Sequence, residues 1–267
     1  MSCLPALIVT TSLRTSAGLR DLARRLADEL DCPFVERNKL GLDALAALYG
    51  ADGIVHVGEK GVSLLAGGQE FFYHPGMAKL RIKEMAAGKT DQMVKALDLL
   101  PGDKVLDCTL GLGADAVVAS YAVGAQGRVV ALESAPVLAA LMRHGLQTYD
   151  GKESRELVAA MRRVEVVCAR HEDFLRDSSD GAFDVVYFDP MFRKPVKSSS
   201  AMEPLRAVAN NEPLKAATVE EAVRVARKRV VLKERRGSGE FGRLGFARVE
   251  GGRYSPVAYG IIEKGAW

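Results

Sequence analysis

The chain is 267 residues long and carries 37 Lys and Arg against 34 Asp and Glu, a formal net charge of +3. Apolar residues make up 48 %, charged residues 27 % and aromatics 6 %, which excludes a disordered tail protein, a collagen-like chain and a coiled coil. The length predicts one large or two small domains whose core needs no metal or disulfide staple, and so small a charge surplus neither demands nor forbids a nucleic-acid partner.

Cys3, Cys32, Cys108 and Cys168 lie far apart with no Cys-x-x-Cys pair, and His56, His74, His144 and His171 are equally scattered. That spacing predicts neither a zinc site nor a disulfide framework, but reduced thiols in a cytoplasmic protein. Met1–Thr11 has no basic segment ahead of its short apolar run, so it is expected to be a strand and not a signal peptide. No apolar run reaches the ~18 residues of a helical membrane span.

The first seventy-odd residues read as a small N-terminal α/β domain, 1–75. Ala6–Thr10 is a predicted strand, followed by a helix capped by Ser16. Leu19, Leu22, Ala23, Leu26, Ala27 and Leu30 give that helix the i, i+3, i+4, i+7 stripe of one buried face. Pro33–Glu36 and Gly53–Val57 read as short strands around a helix near Leu42–Leu48, and Gly61–Tyr73 as a hairpin through Gly67-Gly68. Helical segments Met77–Met85 and Asp91–Leu100 then lead into the second domain, 76–267.

From Pro101 strands and helices alternate. Strands are expected at Lys104–Asp107, Arg128–Glu133, Val164–Cys168, Ala182–Phe188 and Arg229–Lys233, and helices at Ala114–Tyr121, Val137–Thr148, Glu203–Ala207 and Val219–Ala226. Phe246–Glu250 and Val257–Glu263 read as a closing antiparallel pair around Gly251-Gly252. This order predicts an α/β fold with a doubly wound, mostly parallel sheet, in which ligands gather at the carboxyl ends of the strands.

The first such end runs Asp107-Cys108-Thr109-Leu110-Gly111-Leu112-Gly113-Ala114-Asp115. Gly111 and Gly113 allow close backbone approach and a tight turn into a helix whose first amides face a ligand. With Ala116 they satisfy a dinucleotide pattern. Asp107, however, would stand against a pyrophosphate, whereas the sulfonium and ammonium of S-adenosylmethionine (SAM) suit a carboxylate. The loop also reads as a plain glycine turn.

Glu133-Ser134 ends the second strand and is placed to accept hydrogen bonds from adenosine ribose hydroxyls, or to cap the next helix. The third end offers Glu172 and Asp173, the latter as acceptor for an adenine amino group or as a helix cap, with Phe174 as an apolar wall and His171 as a surface or capping side chain. The fourth runs from Asp184–Phe188 straight into Asp189-Pro190-Met191-Phe192. An acid buried at the end of an apolar strand is costly without partners, and proline stiffens the turn so that carbonyls beside it can face a ligand. A carboxylate and a carbonyl together accept both hydrogens of an exocyclic amine while Phe192 stacks on its ring.

These segments together resemble a class I SAM-dependent methyltransferase of the Rossmann-like kind. Asp189-Pro190-Met191-Phe192 is similar to the Asp/Asn-Pro-Pro-Tyr/Phe motif of enzymes that methylate exocyclic amino groups of bases. With Leu110–Asp115, Glu133–Pro136, Lys197-Ser198 and Ala201-Met202 it more narrowly resembles the small-subunit ribosomal RNA guanine-N2 methyltransferase family and its uncharacterised relatives. Thr109 in place of a glycine, Arg193 in place of a proline and Ala114 in place of an arginine depart from the common pattern.

The resemblance implies Asp189, Pro190 and Phe192 as catalytic residues and Asp107, Gly111, Gly113, Asp115, Glu133, Ser134, Glu172, Asp173 and Asp189 as the SAM-binding set, with no metal. It also implies an in-line displacement of the sulfonium-bound methyl group by an amine whose base has left its stack.

An RNA partner needs phosphate neutralisation. Arg224, Arg227, Lys228, Arg229, Lys233, Arg235, Arg236, Arg243 and Arg248 stand against only Glu234 and Glu240 in the same stretch, a local balance of 9 − 2 = +7. Arg193, Lys194 and Lys197 follow the tetrad, and Lys79, Arg81, Lys83 and Lys89 lie by the linking helix. Lys233, in an apolar strand, has the alternative of pointing into the cleft. Two rival readings stay open: a nicotinamide-dependent oxidoreductase and a non-catalytic RNA-binding protein with a methyltransferase fold.

Overall fold

The computed structural model describes residues 6–150, 154–190 and 212–265. These fall into two compact units, one of residues 6–74 with Ala135–Tyr149, the other of Pro75–Ser134, Asp150, 154–190 and 212–265. Among the described residues no helix is long and apolar enough to cross a membrane.

The first unit begins with β1 (Leu7–Thr11) and α1 (Ala17–Glu29). Ser16 caps α1 by accepting a hydrogen bond from the Leu19 amide at 3.3 Å, and Ala23, Leu26 and Ala27 are its buried residues. After α2 (Leu42–Tyr49) come β2 (Gly53–Gly58), β3 (Gly61–Ala66) and β4 (Gln69–Phe72). They form a sheet ordered β1-β2-β3-β4, parallel only between β1 and β2. Ile8, Val35, Leu45 and Ile54 form its core cluster.

The strand expected at Pro33–Glu36 is instead a single bridge between Val9 and Phe34. Pro33 has no amide to donate, and Asn38 and Lys39, both left-handed, turn the chain away.

In the second unit α3 (Met77–Ala86), α4 (Gln92–Leu97), β5 (Lys104–Asp107), α5 (Ala114–Val123) and β6 (Arg128–Glu133) follow one another. The chain next forms α6 (Pro136–Thr148), which belongs to the first unit. There Gly145 faces Tyr73 so closely that an added Cβ would lie 2.2 Å from a Tyr73 atom. Then come α7 (Arg155–Arg162), β7 (Val164–Cys168), α8 (His171–Asp177), β8 (Phe183–Phe188), α9 (Ala216–Val225), β9 (Ala226–Arg235), α10 (Glu240–Arg243), β10 (Arg248–Glu250) and β11 (Val257–Glu263). The helix expected at Glu203–Ala207 lies outside the described residues.

The seven strands are ordered β10-β11-β9-β8-β5-β6-β7. Pairing is parallel from β9 through to β7, and β11 runs antiparallel to both its neighbours. Starting from β5, the chain adds β6 and β7 on one side and returns to add β8 and β9 on the other. The carboxyl ends of β5 and β8 therefore adjoin at the point where strand order reverses, where sheets of this kind bind ligands.

Side-chain alternation sorts the residues near that point. Leu106, Val130, Leu132, Val186, Phe188, Val230 and Leu232 share one core with Leu175 of α8 and Val219, Ala222 and Val225 of α9. Residues of the opposite parity, among them Asp107, Tyr187 and Lys233, therefore turn to the other face, where Asp115 of α5 meets Tyr187 and Lys233.

Candidate active site

β5 ends on Asp107, only 2 % exposed. Its Oδ1 accepts hydrogen bonds from the Thr109 amide at 2.9 Å and, more weakly, the Thr109 hydroxyl at 3.4 Å. Among the described residues no base pairs with it. Burial, together with the neighbouring Asp115 and Asp189, pushes its carboxyl up to about 7.

The loop beyond turns through Gly111 at φ +50° and Gly113 at φ +74°, left-handed positions that cost a residue with a Cβ roughly 1–2 kcal/mol each. Gly113 is also the N-cap of α5, with no side chain to cover the first amides of the helix.

A single ammonium joins the next two acids. Lys233 Nζ donates to Asp115 Oδ2 at 2.9 Å and to Asp189 Oδ2 at 2.8 Å. Asp115 also accepts from the Tyr187 hydroxyl at 2.7 Å and from Arg81 Nη1. Arg81 is clamped in turn by Asp91 at 2.7 and 2.9 Å. Burial alone would raise the Asp115 carboxyl, but Lys233 and Arg81 hold it well below the usual carboxylate range.

Among the described residues Asp189 has only Lys233 as a basic partner, and it faces the Asp115 charge. Burial and that charge outweigh the lysine and push its carboxyl up to about 6. The Asp189 amide donates to Thr109 Oγ1 at 2.6 Å, so the Thr109 hydroxyl ties the turn after β8 to the loop after β5.

The remaining expected residues divide. Glu133 closes β6, 8 % exposed, and Ser134 and Pro190 are half-buried. Glu172, in the first turn of α8, is shared among Arg170, His171 and Lys215 at 3.3–3.6 Å. The Asp173 carboxylate is half exposed and bonds to Arg176 at 2.6 Å, so it faces a surface arginine. His171 stacks edge-on against Phe188 with centroids 5.8 Å apart, and burial lowers its pKa. Phe192 lies outside the described residues.

Three participants were not read as site residues from the sequence: Arg81, counted only as part of a basic run, Tyr187, and Asp91. Lys233, by contrast, carried a sequence signal, since it directly follows the apolar run Val230-Val231-Leu232.

The structure redistributes the basic stretch near the C-terminus. Arg224 pairs with Asp180 and Glu221, Arg227 with Asp184, Lys228 with Asp103, Arg229 with Asp98 and Glu263, Arg243 with Glu240, and Arg248 with Glu250 and Glu263. Lys233 serves the site. Only Arg235 and Arg236 of that stretch have no acid partner among the described residues. The second run is likewise partly committed, Arg81 to the site and Lys89 to Glu84, while the third, Arg193, Lys194 and Lys197, lies outside the described residues.

A reversing parallel sheet, a glycine loop after its first strand and acids at successive strand ends make this a doubly wound fold of the kind that binds nucleotide-type cofactors. Residues 70–241 match the family described as "Putative SAM-dependent methyltransferase", and the chain belongs to this family. It is 40 % identical over 96 % of its length to the uncharacterised protein YpiP of Bacillus subtilis, covering 99 % of that protein. It is 31 % identical to ribosomal RNA small subunit methyltransferase J of Pseudomonas aeruginosa, over 83 % of this chain and 82 % of that one. A solved SAM-dependent methyltransferase from Neisseria gonorrhoeae shares its fold at a TM-score of 0.63 and 17 % identity, with 97 % of each chain covered.

The cofactor of the family is SAM, which sets aside the nicotinamide reading. The residues fit it: Arg81 and Lys233 are two cations among Asp91, Asp107, Asp115 and Asp189, and among the described residues no base pairs with the buried Asp107. A ligand bearing a sulfonium and an ammonium brings the missing positive charge.

Proposed function

We propose that this chain transfers a methyl group to an exocyclic amino group of a nucleobase, the N2 of guanine in small-subunit ribosomal RNA. The observation that carries the reading is the Asp189-Pro190 turn. It stands at the reversal point beside Asp107, its amide on Thr109 Oγ1 and its carboxylate on Lys233. The name of the P. aeruginosa relative supports small-subunit ribosomal RNA as the substrate.

Asp107, Glu133 and Ser134, with the Gly111 and Gly113 loop, would hold SAM, which when bound supplies an activated methyl group. Glu172 is already engaged by Arg170 and Lys215, and the carboxylate of Asp173 is turned to Arg176. Asp115 acts indirectly, by holding Lys233 where it reaches Asp189.

A base amine is a weak nucleophile because its lone pair is delocalised into the ring. Asp189 Oδ and the carbonyl of Pro190 accept its two hydrogens, favour a pyramidal nitrogen and spread the positive charge that develops there. An Asp189 carboxyl near 6 is ionised at neutral pH and basic enough to take the amine proton once transfer is under way. Phe192, outside the described residues, is the side chain assigned to stack on the ring of the extruded base.

The test is transfer of labelled methyl from SAM to ribosomal RNA extracted from a strain lacking the protein, followed by digestion to nucleosides. Label recovered as N2-methylguanosine is the expected outcome. Label on a ribose, or on a ring nitrogen of any base, would refute the assignment.

A further inference from the structure

The two arginines without an acid partner mark a surface that the charge count alone did not locate. Leu232 pairs with Phe188, which sets Lys233 level with Asp189. Arg235 ends β9 about 7 Å further along the strand and pairs with Val257, the first residue of β11. Because β10 runs in the same direction as β9, the segment joining β10 to β11, residues 251–256, emerges at this same carboxyl edge. Its β11 end lies two strands across and about 7 Å along from Asp189, roughly 12 Å away.

That connection presents Tyr254, which at 89 % is the most exposed large apolar side chain among the described residues. The Arg253 guanidinium lies over its ring, 5.5 Å from the centroid. The segment is braced: Arg236 donates to the Ser255 carbonyl at 3.0 Å and to the Gly252 carbonyl, and the Gly252 amide donates to Gln92 Oε1 at 3.2 Å. Bonds to carbonyls leave the Arg236 charge uncompensated, and no acid pairs with Arg235 or Arg253 among the described residues. A fully exposed aromatic costs solubility and contributes nothing to the core. Held in place beside three unpaired guanidiniums, it matches the stacking platform and charged rim that bind unpaired nucleotides.

We propose that Arg235, Arg236, Arg253 and Tyr254 form the RNA-docking edge of the enzyme, Tyr254 stacking on an unpaired base near the target nucleotide and the arginines contacting its phosphates. This rests on the RNA reading above and names the surface that reading requires.

The experiment measures binding of extracted small-subunit ribosomal RNA by filter retention at several salt concentrations, with SAM affinity measured in parallel by calorimetry. Three variants are used: Tyr254→Ala, Tyr254→Trp, and the double variant Arg235→Ala with Arg253→Ala. Arg236 is left in place because it braces the loop. Tyr254→Ala is expected to bind RNA at least about fivefold more weakly, with Tyr254→Trp near the parent. The double variant should lower the slope of log K against log salt by roughly 1 to 2. SAM affinity should be unchanged in all three.

Parent-like RNA affinity in Tyr254→Ala, or an unchanged salt slope in the double variant, overturns the docking edge while leaving the RNA reading intact. A parent chain that binds SAM but no RNA overturns both together. If Tyr254→Ala methylates extracted RNA normally and fails only on assembled subunits, the edge contacts protein and the proposal is wrong.

Discussion

Lys233 Nζ lies 2.8 Å from Asp189 Oδ2 and also reaches Asp115 at 2.9 Å, so one side chain from β9 sets the charge and the position of the carboxylate that would receive the methyl acceptor. Lysine in a strand of this kind is expensive to bury. Two carboxylates, one of them also held by Arg81 and Tyr187, offset that expense. Lys233 is thus a positioning residue for Asp189.

Replacing it tests the relationship. In Lys233→Met the Asp189 carboxylate keeps the Asp115 charge and loses its cation, so its pKa climbs from about 6. Protonated Asp189 accepts hydrogen bonds poorly, so activity is lost below that pKa. The acid limb of the rate profile should therefore move to higher pH by about one unit or more, with kcat lower by roughly 100-fold. Lys233→Arg should recover much of both. A loss of stability with an unmoved acid limb would reduce Lys233 to a structural role.

Thr109 makes a second, neutral link to the same turn. Thr109→Val keeps the shape but leaves the Asp189 amide without its acceptor, at an expected cost of about 1–3 kcal/mol. Chemical denaturation should show that loss, and kcat should fall with KM for SAM little changed. Thr109→Ser should restore both. This hydroxyl also explains the departure from glycine at position 109.

Asp107 predicts a pH dependence of cofactor binding. With its carboxyl raised to about 7, much of the free protein is protonated there below neutrality. A cationic ligand favours the ionised form, so binding releases a proton. SAM affinity should rise as pH goes from about 5.5 to about 7. Calorimetry in buffers of different ionisation heat measures the proton directly, and Asp107→Asn should abolish both the release and the slope.

Gly145→Ala gives a prediction for the first unit. Alanine is ordinarily the better helix former, yet here its Cβ would fall 2.2 Å from Tyr73. Overpacking of this kind costs about 1–3 kcal/mol. A lower melting temperature is expected, and a more stable variant would contradict the close approach.

Most strands of the larger sheet were legible because they are short apolar runs, largely rich in valine or isoleucine, bounded by charged or turn residues. Lys104–Asp107, Arg128–Glu133, Val164–Cys168 and Val257–Glu263 have the bounds their patterns predict. The helices at Arg155–Arg162 and His171–Asp177 were missed; both are short and charged, with three buried residues in the first and one in the second.

At the site, the places of Asp107 and Asp189 could be read because strand ends are local features. The partners of Asp115 could not, since Arg81 lies 34 residues before it and Lys233 118 after. The same limit governs the basic stretch. Its +7 counts only acids near in sequence, whereas Asp98, Asp103, Asp180, Asp184 and Glu263 reach it from other elements.

The most direct test of the account is the single-turnover rate of methyl transfer to extracted ribosomal RNA by Asp189→Ala at saturating SAM. Loss of the acceptor that orients the amine and takes its proton predicts a rate lower by roughly 100- to 1,000-fold, with RNA still bound. A variant that transfers methyl as fast as the parent would show that the turn after β8 does not carry the chemistry.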